Sequence, residues 1–302
     1  MNLYNGYNKK KSYFEGWYFK HQKNDNMIAF IPSVNFDKYG NKTAIIQVIT
    51  NSFSSYAEYS FKEFCIKSDK IKIGKNEFSE RGISIDIQTK QLNISGSVVY
   101  ENLTPIKYDI MGPFRHLPMQ CNHGIISLHH YLHGNIKVNN SWIELNGGTG
   151  YIEKDYGSSF PCSYTWLQCN TFKNKISCVM VSIADIPFFG GHFKGCIGIV
   201  FFNFKEYRFA TYNGVRIIRC NENKIILKQQ DFYFEIDIFE KSGHPLLAPV
   251  SGKMARKICE NNNCTARFRF YNQGNLLFDE TSENVGFEYS QSSKKQISAK
   301  NN

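Results

Sequence analysis

The chain has no Cys-x-x-Cys pair, few prolines, almost no helical periodicity, and no apolar run long enough to cross a bilayer as a helix. Each shortage excludes something. The nine cysteines are odd in number and irregularly spaced, so reduced thiols in a cytosol are expected rather than a secreted disulfide scaffold. Only Cys259 and Cys264, either side of an Asn-rich stretch that reads as a surface loop, are placed to join. Eight prolines in 302 residues argue against long disordered linkers. The best apolar run, residues 196–204, is strand length, well short of the roughly 18 residues of a membrane helix. The opening Met1-Asn-Leu-Tyr-Asn-Gly-Tyr-Asn lacks the apolar core of a signal peptide. The expectation is a cytoplasmic protein.

The formal charge is +10, but the lysines are scattered, with the tightest run at Lys9, Lys10 and Lys11 and a few more at Lys294, Lys295 and Lys300. This pattern reads as a solvated surface with weak attraction to an anionic membrane. Nucleic acid is not an expected partner, because it would call for a contiguous basic face.

What the chain does have is aromatic residues, 25 Phe and 18 Tyr, and flat side chains pack well on a pleated surface. Residues 28–34, 43–50, 56–64, 83–88 and 92–100 read as strands broken by Gly, Asn and Asp. Residues 136–138, 163–171, 176–183, 196–204, 207–212, 224–229, 232–240 and 265–271 repeat the rhythm, with Asn203, Asn223 and Gln273-Gly-Asn275 as turn residues. Only 123–133 and 251–259 allow a helix. The fold class is all-β, a sandwich or barrel, with few short helices. A composition break at Met111–Pro118 suggests two β halves, 1–118 and 119–302.

Three segments crowd costly residue types together. In Ser12-Tyr-Phe-Glu-Gly-Trp-Tyr-Phe-Lys20, strand alternation puts Tyr13, Glu15, Trp17 and Phe19 on one face. Gly16 permits close backbone approach. Trp17 is a barrel plug or a ligand contact. In Gly150-Tyr-Ile-Glu-Lys-Asp-Tyr-Gly157, Tyr151, Glu153 and Asp155 share a face, and two carboxylates so placed can share a proton. In Tyr164-Thr-Trp-Leu-Gln-Cys-Asn170, Trp166, Gln168 and Asn170 form a stripe whose amides need partners from the protein or a ligand.

These blocks, with Gly112-Pro-Phe-Arg-His-Leu-Pro118, Pro245-Leu-Leu-Ala-Pro249 and Phe278-Asp-Glu280, resemble in order the motifs of the tocopherol cyclase family, its bacterial members above all. One position departs: Tyr156 stands where the family carries Trp after Glu-Lys-Asp. The resemblance implies two lipocalin-like β-barrel halves and an intramolecular lyase that closes a chromanol-type ring on a prenylated hydroquinone or related isoprenoid. That reaction needs a protonated acid in an apolar site, aromatic faces for a cation, and exclusion of water. It needs no cofactor and no metal. On this reading Asp155 or Glu153 supplies the proton, with Glu15 in reserve. Trp17, Tyr151 and Trp166 surround the cation, and Gln168 and Asn170 orient the phenol. A non-catalytic, lipocalin-like binder of a hydrophobic molecule with an aromatic or isoprenoid part is the alternative. His129 and His133 would share a helical face suited to zinc, but no third ligand is evident.

Overall fold

The computed structural model describes residues 4–90, 92–173, 177–188, 190–239 and 243–291, so Lys294, Lys295 and Lys300 lie outside the described residues. The chain is all-β. Twelve strands build the first sheet: β1 (Tyr13–Lys23), β2 (Asn26–Phe36), β3 (Lys42–Thr50), β4 (Ser54–Ser60), β5 (Phe64–Lys67), β6 (Lys70–Ile73), β7 (Asn76–Ser79), β8 (Gly82–Gln88), β9 (Asn93–Glu101), β10 (Cys121–Val138), β11 (Ser141–Glu144) and β12 (Thr149–Gly157). Ten build the second: β13 (Tyr164–Cys169), β14 (Cys178–Phe188), β15 (Gly191–Phe202), β16 (Lys205–Ala210), β17 (Arg216–Asn221), β18 (Lys224–Gln229), β19 (Phe232–Ile238), β20 (Gly243–Val250), β21 (Lys253–Asn272) and β22 (Asn275–Ser290). The described helical turns are short 3-10 segments, and no helix among the described residues is long and apolar enough to cross a membrane.

The first sheet runs β4-β3-β2-β1-β12-β10-β9-β8-β7-β6-β5, with β11 on β10. Alternation along each strand sends one set of side chains into a core of Trp17, Phe19, Phe30, Phe36, Phe78 and Ile152. The two ends of the sheet come round this core, where Asn76 Nδ2 on β7 donates to the Tyr59 hydroxyl of β4 at 3.2 Å. The opposite face of β1–β3 is also covered: Met27, Ser33, Asn35, Gln47 and Ile49 are all buried. Part of β20 lies across it, with Gln47 exchanging two hydrogen bonds with Leu247 at 2.8 and 3.0 Å. The second sheet runs β16-β15-β14-β13-β22-β21-β19-β18-β17 around Leu167, Val181, Phe209, Phe234, Phe268 and Phe287. The Gln229 amide bonds Arg208 O and Ala210 N–H, tying β18 to β16. Gln273 (φ 50°) and Gly274 (φ 80°) make the tight turn expected between β21 and β22.

Four sequence expectations change. The chain divides into Met1–Ile110, Cys121–Phe160 and Leu246–Lys257 against Met111–Gln120, Pro161–Pro245 and Ile258–Asn302. The boundary at 118 is therefore replaced, because β10 and β12 pair with β9 and β1 and complete the first unit. Residues 123–133 are strand, and 251–259 are a two-residue turn followed by the start of β21, not helix. Two register shifts in β10, at Ile125/Ser127 and Ser127/His130, break its alternation and imitate a longer period. The Asn-rich stretch is no loop, since β21 runs straight through it with Glu260 and Asn262 buried. Cys259 and Cys264 are free thiols. Residues 56–64 are interrupted by a 3-10 turn that Ser60 and Glu63 close as a capping box.

Candidate active site

β12 lies between β1 and β10, and both of its faces are buried over most of its length. The face shared with the first unit's core carries Ile152, Lys154 and Tyr156; the other carries Tyr151, Glu153 and Asp155. The two faces solve their charges differently.

On the core side, Lys154 Nζ lies 2.6 Å from a Glu15 oxygen, and Glu15 is fully buried. The Asn5 backbone N–H donates to both Glu15 oxygens at 3.0 and 2.9 Å, and the Tyr13 hydroxyl donates to one of them. Lys154 Nζ sits 5.4 Å from the ring centres of both Trp17 and Tyr156. Burial pulls the Lys154 pKa down, against the attraction of Glu15. Burial, reinforced by the Glu15 charge, pushes the Tyr13 phenol up. A carboxylate with this many donors is a structural counter-ion. Trp17, with no exposed surface and a cation over its ring, fills the core.

On the other side, His123 of β10 stands opposite Asp155 in register. Its Nδ1 is 2.7 Å from Asp155 Oδ1 and its Nε2 is 3.3 Å from Glu153 Oε2. The Tyr151 hydroxyl donates to the same Glu153 oxygen at 2.6 Å. Desolvation is the largest single influence on His123 and disfavours its charged form. The charges and hydrogen bonds of Asp155 and Glu153 together outweigh it, so its pKa lies well above the ordinary value. At neutral pH this is an imidazolium clamped between two carboxylates. Cys121, two residues along the same face, has Sγ 3.9 Å from Asp155 Oδ1, and burial pushes its thiol up. Among the described residues, His123, Glu153 and Asp155 form the one group whose ligand atoms, all within 4.8 Å, can share a metal ion. A metal there would have to displace the imidazole proton. The expected His129 and His133 pair lies on a strand, where His133 Nε2 meets Glu101 at 3.1 Å and His129 packs edge-on against Tyr131.

The structure thus brings Tyr151, Glu153 and Asp155 together and adds His123, which the sequence offered only as one of several histidines. Glu15 and Trp17 belong to the same unit but to the core face of the sheet. Trp166 and Gln168 on β13, and Asn170 just beyond its end, belong to the second unit and are all buried on the side turned away from Leu167 and Cys169. Trp166 stands opposite Glu288, whose carboxylate accepts from the Tyr164 hydroxyl at 2.5 Å.

A family model described as tocopherol cyclase-like matches residues 91–289. The chain belongs to that family. The match takes in His123, Tyr151, Glu153, Asp155 and the β13 stripe, whereas Glu15 and Trp17 precede it. No curated protein sequence matches this tocopherol cyclase-like chain. Two solved structures share its fold: a proposed AttH of Nitrosomonas europaea, 9% identical over 91% of each chain with a TM-score of 0.52, and CghA bound to Sch210972, 7% identical over 93% of this chain and 89% of that one with a TM-score of 0.57. At such identity the likeness is one of fold.

Proposed function

We propose that this protein is an acid catalyst of ring closure, acting on a prenylated hydroquinone or a related isoprenoid phenol without a redox cofactor. The observation that carries the reading is the imidazolium of His123 held between Asp155 and Glu153 beside the Tyr151 hydroxyl. Asp155, the more exposed of the two carboxylates, meets the ligand, and His123 hands it the proton. Asp155 protonates the less substituted alkene carbon. The tertiary cation then sits beside a cluster that has just gained a unit of negative charge, an attraction strengthened where water is excluded. The Tyr18 and Tyr151 rings, 6.4 Å apart, offer π faces to the same cation. The phenol oxygen captures the cation and its proton returns to the Asp155–His123 pair, so product and substrate are isomers and the catalyst is restored. Glu153 keeps His123 charged and aligned.

The test is incubation with prenylated hydroquinones, with product analysis for wild type, Asp155→Asn and His123→Gln. An isomeric chromanol whose rate falls about 10²–10⁴-fold in both variants is the expected result. Substrate recovered unchanged from wild type would overturn the reading in favour of a carrier.

A further inference from the structure

Along β1, every residue from Tyr13 to Gln22 is buried except Gly16. Gly16 is paired on one side with Asp155 and on the other with Ser33, so three residues lie in a row across three strands and the middle one has no side chain. A Cβ built on Gly16 would have as its three nearest neighbours atoms of β2 only: Ser33 Cβ at 3.4 Å, Pro32 O at 3.8 Å and Ile31 Cγ2 at 4.0 Å. A methyl there would make ordinary contact with β2 without a clash, and Gly16 is the half-buried position in an otherwise buried run. With strands about 4.8 Å apart and residues about 3.4 Å apart along each, the gap between Asp155 and Ser33 is about 10 Å and that between Phe14 and Tyr18 about 13 Å. Both aromatics are buried on the same face of β1, with Phe14 edge-on to Phe160 and Tyr18 edge-on to Tyr151. The opening has the outline of one flat ring.

Its far wall carries an unanswered acceptor. Asn35, opposite Phe14, leans along β2 and donates from Nδ2 to Ser33 Oγ at 3.3 Å, while Ser33 donates to Ile45 O at 3.4 Å. Asn35 Oδ1 is buried with no hydrogen-bond partner, although the residue is only 3% exposed. Buried acceptors are rarely left so unless water or a ligand answers them.

The geometry points to a slot over Gly16, between Asp155 and Asn35, that takes the hydroxyl-bearing aromatic ring of the ligand, with a phenolic O–H donating to Asn35 Oδ1. This rests on the proposed function for the ligand class and adds where its ring lies and what reads its hydroxyl. It assigns hydroxyl recognition to the same unit as the acid, a role the sequence suggested for Gln168 and Asn170.

The probe is a methylated hydroquinone with a fully saturated alkyl tail, which cannot be protonated to a cation, together with its dimethyl ether. Binding is read by calorimetry. Wild type should prefer the hydroquinone over the ether by about ten-fold. Asn35→Ala should lose that preference. Gly16→Ala meets no contact below 3.4 Å and no unusual backbone angle, so it should keep its melting temperature while weakening the hydroquinone at least ten-fold. Equal binding of hydroquinone and ether by wild type, or undiminished binding by a folded Gly16→Ala, overturns the slot. Because the probe does not react, these results stand apart from the turnover test: a protein that binds it in the slot but never cyclises loses the enzyme reading alone. One that cyclises yet ignores both variants loses the slot alone.

Discussion

Buried neutral histidines make the first unit acid-labile, and the size of the effect follows from their surroundings. His21 has no exposed surface; Nδ1 faces Ile28 O at 3.0 Å and Nε2 the Tyr100 hydroxyl at 2.7 Å. Burial lowers its pKa to about 4, the Ile28 carbonyl only partly opposing this. Burial also takes His129 to about 4, and His130, its ring tilted against that of Tyr100 at 4.3 Å, well below its ordinary value. These groups stay neutral when folded and bind a proton near pH 6.5 when unfolded. Their stabilisation is complete above pH 6.5 and is lost as pH falls towards 4. A shift of 6.5 to about 4 is worth about 3 kcal/mol each for His21 and His129. Two such losses rival the whole stability of an ordinary domain, about 5–15 kcal/mol. His123 is protonated in both states over most of this window, and its own contribution is lost only as pH rises through its raised pKa. The assay is urea denaturation from pH 7.5 to 4.5 in wild type and in His21→Phe, comparing slopes with pH rather than absolute values. The variant should lose up to about 1.4 kcal/mol per pH unit of slope. A flat wild-type profile between pH 6.5 and 4.5, or an unchanged slope in His21→Phe, would refute the argument.

Glu15→Gln should destabilise the protein by about 3–5 kcal/mol, because it strands the Lys154 charge in the core, and adding Lys154→Met should restore much of this; equilibrium unfolding of the single and double variants checks it. Under native conditions a thiol reagent should reach the exposed Cys65, Cys162 and Cys259 first, while the buried Cys169, Cys178, Cys196 and Cys264 react only on unfolding, as mass spectrometry of the modified chain can count.

The all-β class was legible because β-branched and aromatic residues dominate nearly every run between turn residues, as at β2, β3 and β19. The short pieces β5, β6 and β7 were not, because at four residues each even the strict alternation of Lys70–Ile73 is too brief to stand out. The double bulge in β10 concealed the strand and its use together. His123 precedes the shifts and faces Asp155, whereas His130 follows them and packs beside His21 and Tyr100 in the core. No local pattern reveals that a strand has changed faces, so the partner that charges the cluster could not be picked from the seven other histidines.

Strand parity did separate Glu15 from Tyr18 and Asp155 from Lys154, but it could not say which sets meet across strands. Register decides this. Gly16, not Glu15, stands opposite Asp155, yet Glu15 and Lys154 still find each other on the core face. The departure from the family at Tyr156 then acquires a physical meaning. Its ring lies on the core side, 5.4 Å from Lys154 Nζ, and not on the side of Asp155. What that position must supply is an aromatic face for a buried ammonium, which a phenol provides as well as an indole within the scatter of such contacts. The exchange of Trp for Tyr therefore bears on how the core holds its charge, and leaves the proton-bearing cluster of His123, Glu153 and Asp155 unaltered.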